Sequence, residues 1–254
     1  MKKQILKSAL IAMAGVGLLA GGAMATTVNV TGENNEQTLN QIFTTQGWNI
    51  DANTNQIGND SYWSIAEEDL GAWASIVIEI AGNEFNNTFG VYDNQNNSIT
   101  LLDGLASTKD KVSITNAVAG SSVFIQKYNY LGVIDNKDAW ELDGSAFEEN
   151  LSSVFGFFIN GRGGTFYSDM SKNSDGTDHM VSYLGTGTNG LSIGHYILAF
   201  EDLAASATGY DYDFNDLVIK VESVTPVPEP GTMLLLGTGL AGLAAVGRRR
   251  KTKA

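Results

Sequence analysis

Short apolar or alternating runs, separated by polar turns, recur along residues 26–224, and this pattern constrains the fold more than any other feature of the chain. The turns are rich in Asn, Asp, Gly and Ser, as in Asp93–Asn97 (DNQNN) and Ile159–Gly164 (INGRGG). Runs of this length with turn signals between them predict antiparallel β-strands. The predicted strand regions are Trp73–Ala81, Thr88–Asp93, Ser98–Gly104, Val123–Ile134, Val154–Ile159, His179–Leu184, His195–Phe200 and Leu217–Glu222.

We therefore expect an all-β fold, a single antiparallel β-sandwich of jelly-roll type. Composition stays even from Thr26 to Val224, so we place no linker within this body. Where Leu39, Ile42 and Phe43 follow an i, i+3, i+4 spacing, we expect a short helix or none. The chain has no Cys and so no disulfides, but a body of this size buries a core without them.

The first 25 residues have the three parts of a secretory signal peptide. A positively charged start (Lys2, Lys3, Lys7) precedes an apolar run, Ala9–Ala20, and a small-x-small exit at Ala23 and Ala25. A membrane-spanning helix is disfavoured, because twelve apolar residues at ~1.5 Å each reach about 18 Å and the hydrocarbon core is ~30 Å thick. We expect signal peptidase to cleave after Ala25.

Charge is distributed unevenly along the chain. Residues 26–224 hold seven Lys and Arg against 27 Asp and Glu, which leaves this body a net charge of −20, whereas the whole chain carries −13. Such a surface repels nucleic acid and anionic lipid and attracts cations. We therefore expect no nucleic-acid partner.

The C-terminal segment, residues 225–254, has the composition of a membrane anchor. All three prolines of the chain lie between residues 226 and 230, and 17 uncharged residues follow, Gly231–Gly247. At ~1.5 Å per residue these span about 26 Å, a marginal transmembrane helix behind a stiff, accessible proline spacer. Basic residues behind the helix mark its cytoplasmic end and so place the body outside the inner membrane; they are Arg248, Arg249, Arg250 and Lys251.

The order Pro228-Glu229-Pro230, apolar span and arginine cluster closely resembles the PEP-CTERM sorting signal of Gram-negative bacteria. The resemblance implies recognition by an exosortase, transient membrane anchoring, and cleavage near Pro228–Pro230. It also implies delivery to the cell surface, often alongside exopolysaccharide production. The alternative is a plain C-terminal anchor with the same orientation. The chain then divides into a signal peptide (1–25), a β-sandwich (26–224) and a sorting signal (225–254).

The most chemically distinctive stretch is Phe200–Glu222, FEDLAASATGYDYDFNDLVIKVE. Extending the Leu217–Glu222 strand backward would place Asn215, Asp213 and Asp211 on its apolar face. Burying carboxylates without partners is prohibitive, so the segment must be an exposed loop, a bulge or a metal site. Clustered anionic oxygens suit Ca²⁺ above zinc or copper, and the alternative is a solvated acidic turn.

An EF-hand does not fit this stretch. With Asp211 at position one, Asp213, Asn215 and Glu222 fall at positions three, five and twelve, but Asp216 takes the place of the required Gly at position six. The following residues also read as a strand rather than a helix. We therefore expect a calcium loop of another kind.

The same stretch resembles the closing motif of an uncharacterised β-rich domain family common in secreted and PEP-CTERM proteins. An upstream signature appears in Phe166–Leu184 and more faintly in Asn87–Asp93, so the resemblance covers Trp73–Val221. Tyr212 departs from the family, which has a charged residue there. The resemblance implies no activity, and it implies metal ligands at Glu201, Asp202, Asp211, Asp213, Asn215 and Asp216, with Asp175, Asp178 and His179 as secondary candidates.

No motif in the sequence supports a catalytic site. Gly190–Gly194 matches the G-x-S-x-G pattern of serine hydrolases, but that motif needs a strand before it and a helix after it, and here a loop leads into a strand. The chain has only two histidines, His179 and His195, so we expect no histidine-based metal centre. We expect no catalytic activity.

Four tryptophans offer a second functional hypothesis. Together with tyrosines they could form a sugar-stacking platform and make the body a carbohydrate-binding module, although such residues more often fill a core. They are Trp48, Trp63, Trp73 and Trp140. Our principal expectation is a calcium-stabilised structural protein of the cell surface or exopolysaccharide matrix.

Overall fold

Two antiparallel β-sheets form the fold in the computed structural model, which describes residues 27–32, 36–58, 60–65, 71–79, 87–104, 106, 108–116, 123–148, 151–227 and 238. Thirteen strands occur in the described residues. They are β1 (Trp63–Ile65), β2 (Gly71–Glu79), β3 (Thr88–Asp93), β4 (Ser98–Leu102), β5 (Lys111–Asn116), β6 (Val123–Ile134), β7 (Lys137–Glu148), β8 (Val154–Gly161), β9 (Gly164–Tyr167), β10 (Met180–Leu184), β11 (His195–Phe200), β12 (Leu217–Glu222) and β13 (Val224–Pro226).

One sheet has the strand order β13-β1-β8-β3-β4, with β9 paired to β8, and the other has the order β10-β11-β12-β2-β5-β6-β7. Every pairing in both sheets is antiparallel. The predicted all-β antiparallel class is therefore confirmed. The finer expectation, a single sandwich of jelly-roll type, stays a prediction.

Aromatic side chains from both sheets meet in the main core. Trp63 of β1 lies edge-on to Tyr196 of β11 with ring centroids 4.9 Å apart, and Phe89 of β3 meets Phe200 of β11 at 6.0 Å. These residues are buried and belong to one apolar cluster. Each large apolar side chain removed from water contributes about 1.5–3 kcal/mol, so this shared core holds the two sheets together.

A second core lies around α1 (Leu39–Thr45), the helix predicted from its spacing. Leu39, Ile42 and Phe43 are all buried, which confirms that prediction. Thr38 caps the helix, since its Oγ1 accepts from the Gln41 amide at 3.3 Å while Gln41 Oε1 accepts from the Thr38 amide at 3.0 Å. This core also contains Phe214, so it reaches into the acidic segment.

Five strands lie outside the predicted regions, namely β1, β5, β7, β9 and β13. β7 forms the long partner of β6, and most of its described side chains are exposed or half-buried. β13 contains Thr225 and Pro226, which the sequence places in the proline spacer. Pro226 pairs with Trp63 at the edge of its sheet, where a residue without an N–H group is tolerated. The spacer prediction was wrong for Pro226.

The signal peptide (1–25, with Ala23 and Ala25) lies outside the described residues. So do Pro228, Glu229 and Pro230, the predicted sorting helix Gly231–Gly247 apart from Thr238, and the basic end, Arg248–Lys251. In the part of the chain that is described, no helix has the length and apolar character needed to cross a membrane. The strands form part of one compact unit, residues 27–227.

Candidate metal centre

The pairing of β11 with β12 brings the acidic residues together. Phe200, the last residue of β11, lies opposite Leu217, the first residue of β12. Glu201 and Asp202 therefore leave the sheet at the same end at which Asp216 enters it. The intervening loop, residues 203–215, returns to this point and adds further side-chain oxygens.

Five carboxylates form two groups that share one member. Oxygens of Glu201, Asp211 and Asp213 lie within 4.8 Å of one another, and so do oxygens of Glu201, Asp202 and Asp216. The sequence predicted all five as ligands, and the structure brings them to one end of the sheet. Glu201 is the residue common to both groups.

Burial distinguishes this cluster from a solvated turn. Glu201, Asp202 and Asn215 are each 1% exposed and Asp213 is 2% exposed. Removing carboxylates from water without compensation costs several kcal/mol per ion, so an acidic turn facing solvent does not describe Glu201, Asp202 and Asp213.

Buried side-chain oxygens from both ends of the acidic stretch lack hydrogen-bond donors among the described residues. They include Oε2 of Glu201 and Oδ1 of Asn215. The Asn215 amide group is oriented by its nitrogen, which donates to Asp213 Oδ2 at 2.5 Å and to the Gln37 carbonyl at 3.0 Å. Its oxygen therefore stays available to a cation.

Burial and mutual repulsion raise the pKa values of the cluster. Burial is the larger cause at Glu201, whose pKa rises well above its ordinary value, and the charges of Asp216, Asp211, Asp213 and Asp202 add to it. Burial, and then the Asp202 charge, raise the pKa of Asp216. Burial raises the pKa of Asp213 to about 7, with the Asp211 charge in support. A bound divalent cation would reverse both effects.

The backbone of the loop is held in an unusual conformation. Tyr212 and Phe214 have φ values of 62° and 54°, in the left-handed region, which costs about 1–3 kcal/mol for each non-glycine residue. Phe214 is fully buried in the second core. Thr31 holds the other side, since its amide donates to the Tyr212 carbonyl at 2.9 Å and its hydroxyl donates to the Asp211 carbonyl. These contacts fix the positions of Asp211 and Asp213.

His179 and Asp175 form a hydrogen-bonded pair that contacts the backbone of Glu201. His179 Nδ1 donates to the Glu201 carbonyl at 3.1 Å, and its Nε2 lies 3.0 Å from Asp175 Oδ2. Burial alone would raise the pKa of Asp175, but hydrogen bonds from the Ala205 and Thr177 amides and from His179 outweigh this effect. The pKa of Asp175 therefore lies well below its ordinary value. Both residues lie outside the two carboxylate groups and position Glu201 instead.

Asp178, the other secondary candidate, faces a different carboxylate. Burial raises the pKa of Asp60 to about 7 and the Asp178 charge adds to this, while burial raises the pKa of Asp178 to about 6. Ser182 Oγ donates to Asp60 Oδ2 at 2.5 Å and the Met180 amide donates to Asp178 Oδ1 at 3.1 Å. These bonds assign the pair to the β10 side of the sheet rather than to the two groups.

Asn87 is a candidate site residue that sequence reasoning did not identify. It is 3% exposed, and its side-chain oxygen has no hydrogen-bond partner among the described residues. A Cβ built on Gly161 would overlap Oδ1 of Asn87 and lie 3.5 Å from Oδ2 of Asp202, so both oxygens face the same small space. Only the faint resemblance of Asn87–Asp93 to the family pointed to this segment, because Asn87 lies far from the acidic stretch in the sequence.

The donor set fits calcium. It consists of carboxylate and amide oxygens, and Ca²⁺ takes 6–8 oxygen ligands in a flexible geometry. An EF-hand is excluded, because the residues that would form its second helix form β12.

The tryptophans and the G-x-S-x-G segment, which are the other functional candidates, lie in different parts of the fold. Trp63 is fully buried in the core and cannot stack on a sugar, and Trp48 is partly buried against the second core. Trp140 is half-buried on β7, and nothing is described of the Trp73 side chain. Ser192 lies in the loop that leads from β10 into β11, so the G-x-S-x-G segment lacks the strand-to-helix turn of a hydrolase.

Comparison with known families confirms both resemblances. Residues 226–251 match the PEP-CTERM protein-sorting motif, and residues 136–224 match a domain of unknown function (DUF4114). The second match contains both carboxylate groups but not Asn87 or the rest of the predicted region before residue 136. No curated protein and no solved structure matched the chain. The sorting motif indicates an extracellular protein that is exported and sorted to the cell surface by an exosortase.

Proposed function

We propose that the body is a calcium-stabilised, non-catalytic structural protein of the cell surface that associates with exopolysaccharide. The observation that carries the calcium assignment is Glu201. Its carboxylate is 1% exposed, has an oxygen without a hydrogen-bond donor among the described residues, and lies against carboxylates on two sides. A buried anion in that setting needs a cation to offset its desolvation.

Calcium is favoured over other cations by the ligand chemistry. The groups offer only oxygen, and the surrounding loop is irregular rather than built for strict octahedral geometry, which disfavours Mg²⁺. Millimolar calcium outside the cell would keep such a site filled, and the acidic surface of the body would attract it.

Calorimetric titration of the full chain with Ca²⁺ and, separately, with Mg²⁺ tests this proposal. We expect calcium to bind at least ten times more tightly than magnesium, and Glu201→Gln to weaken calcium binding strongly. Glu141→Gln, an exposed acid on β7, is the matched control and should bind as the unmodified chain does. Equal affinity for both ions, or no binding, would contradict the assignment.

Association with exopolysaccharide rests on the sorting motif and on the acidic body, which calcium could bridge to an anionic polymer. The test is retention of the protein on the host's own polysaccharide with and without calcium. Retention that requires calcium supports the proposal, and passage without delay under both conditions contradicts it.

A carbohydrate-binding module is the second candidate, and one observation favours it. Tyr130 and Trp140 pair across β6 and β7 with ring centroids 5.7 Å apart on the half-exposed part of the hairpin. Lys111 Nζ lies 3.7 Å from the Trp140 ring centroid, so the group combines aromatic and cationic character. If this surface binds sugar, Trp140→Ala should abolish polysaccharide retention in the presence of calcium; a structural protein bridged by calcium should keep it.

A further inference from the structure

The five carboxylates do not form one group, and their division suggests how many ions they hold. Oxygens within 4.8 Å of one another occur in two sets of three, and the sets have only Glu201 in common. Asp211 and Asp213 come from the loop, whereas Asp202 and Asp216 come from the ends of the paired strands β11 and β12. A single ion cannot contact all five at this spacing without moving one set.

Each set has an amide oxygen beside it. On the loop side this is Asn215, whose nitrogen donates to Asp213 and whose buried Oδ1 has no donor among the described residues. On the strand side it is Asn87, whose buried Oδ1 faces Asp202 across Gly161. The two sides are therefore built alike, with two aspartates, one asparagine and the shared glutamate.

The charge balance of the centre also indicates two ions. Five clustered carboxylates carry five negative charges, and one Ca²⁺ would leave three of them uncompensated in a largely buried site. Two ions leave one. Because uncompensated buried charge costs several kcal/mol per ion, the second cation removes most of the penalty.

Building on the proposed calcium function, we infer that this centre binds two calcium ions bridged by the Glu201 carboxylate. One ion is held by Asp211, Asp213 and Asn215 and the other by Asp202, Asp216 and Asn87. Each oxygen of Glu201 serves one ion. Water or bidentate binding would complete the 6–8 oxygens that calcium takes.

Ion counting tests the inference directly. The full chain, purified in detergent, is stripped of metal, equilibrated with Ca²⁺ and measured by native mass spectrometry and elemental analysis. We expect two ions per chain. One ion per chain would overturn the bridged pair and leave calcium stabilisation standing, whereas no ion would overturn both. This count on the unmodified chain does not depend on whether any variant folds.

Single substitutions then assign the sides. Asp211→Asn and Asp216→Asn should each reduce the count from two to one, because each removes a charged ligand from one set only. Glu201→Gln should remove both ions, and Glu141→Gln should retain two. A loss of both ions from Asp211→Asn and Asp216→Asn chains that still melt cooperatively would overturn the assignment of separate ligand sets.

Discussion

His179 donates from Nδ1 to the backbone carbonyl of Glu201 at 3.1 Å, and its ring stacks on Phe166 with centroids 3.8 Å apart. The bond crosses from the start of β10 to the end of β11 and holds the residue that both carboxylate groups share. Glu201 completes the link, since its amide donates to the His179 carbonyl at 3.1 Å. The position of the shared carboxylate thus depends on a residue that need not touch the ion.

Replacing His179 with Phe should weaken calcium binding without removing a ligand. The aromatic ring can still stack on Phe166, but the Glu201 carbonyl loses its donor, which costs about 1–3 kcal/mol of unfolding free energy. Loss of such a supporting contact lowers metal affinity by about 10–100-fold. Calorimetry and thermal melts measure the two effects. His195→Phe is the control, because His195 pairs with Glu222 away from the centre; an equal effect there would contradict a positioning role for His179.

The metal-free protein should lose stability as pH rises from about 5.5 to 8. Burial and repulsion raise the pKa values of Glu201, Asp213 and Asp216, so the folded state binds more protons than the unfolded state across this window. Stability is then highest at low pH, and each such proton is worth about 1.4 kcal/mol per pH unit. Urea unfolding midpoints at the two pH values, after metal removal, measure the slope.

Calcium should abolish or reverse that pH dependence, because bound ligands stay deprotonated and binding releases their protons. Asp60→Asn serves as a control, since Asp60 also titrates near this range but lies outside the groups. Its removal should make the slope of stability against pH less negative by the same amount in the metal-free and the calcium-bound protein. A metal-free midpoint that is constant or increases with pH would contradict the raised pKa values.

Gly161→Ala should disturb the strand side of the centre alone. The added Cβ would overlap the Asn87 side-chain oxygen, and relieving that overlap costs about 1–3 kcal/mol. We expect a lower melting temperature and weaker calcium binding. Gly144→Ala is the matched control, since a Cβ there meets nothing within 4 Å. Unchanged calcium binding by Gly161→Ala would argue against Asn87 as part of the centre.

Disrupting the sorting motif should trap the protein before processing. With Pro228→Ala, Glu229→Gln and Pro230→Ala combined, we expect the chain to keep its full length and remain in the membrane fraction of a host that carries an exosortase. Thr232→Ser, which leaves the motif intact, should be processed as usual. Immunoblots of membrane and surface fractions measure this, and normal surface delivery of the triple variant would contradict processing at this motif.

Most strands were predictable because their buried faces leave a pattern in the sequence. β3, β6, β11 and β12 begin and end at the predicted residues. The helix followed equally from Leu39, Ile42 and Phe43. β7 was not predictable, because most of its described side chains face water and follow no alternation. β13 was hidden by Pro226, whose place in a sheet depends on an edge that local sequence does not reveal.

The candidate centre was predictable in composition but not in arrangement. Clustered acids before an alternating strand were enough to propose Asp211, Asp213 and Asp216 as calcium ligands. The division into two groups depends on the pairing of Phe200 with Leu217, a tertiary relationship. Asn87 could not be placed for the same reason, since it meets Asp202 only through the packing of β3 and β8 around Gly161.

The most direct test of the account is the thermal melt of residues 26–227, metal-stripped and then in millimolar Ca²⁺. Calcium at about 1,000 times its dissociation constant stabilises by about 4 kcal/mol, which for a chain of this size raises the melting temperature by about 10 °C. We predict a rise of this order, lost when Asp211, Asp213 and Asp216 are all changed to Asn. An unchanged melting temperature in calcium, or an equal rise in the triple variant, would contradict a calcium-dependent fold.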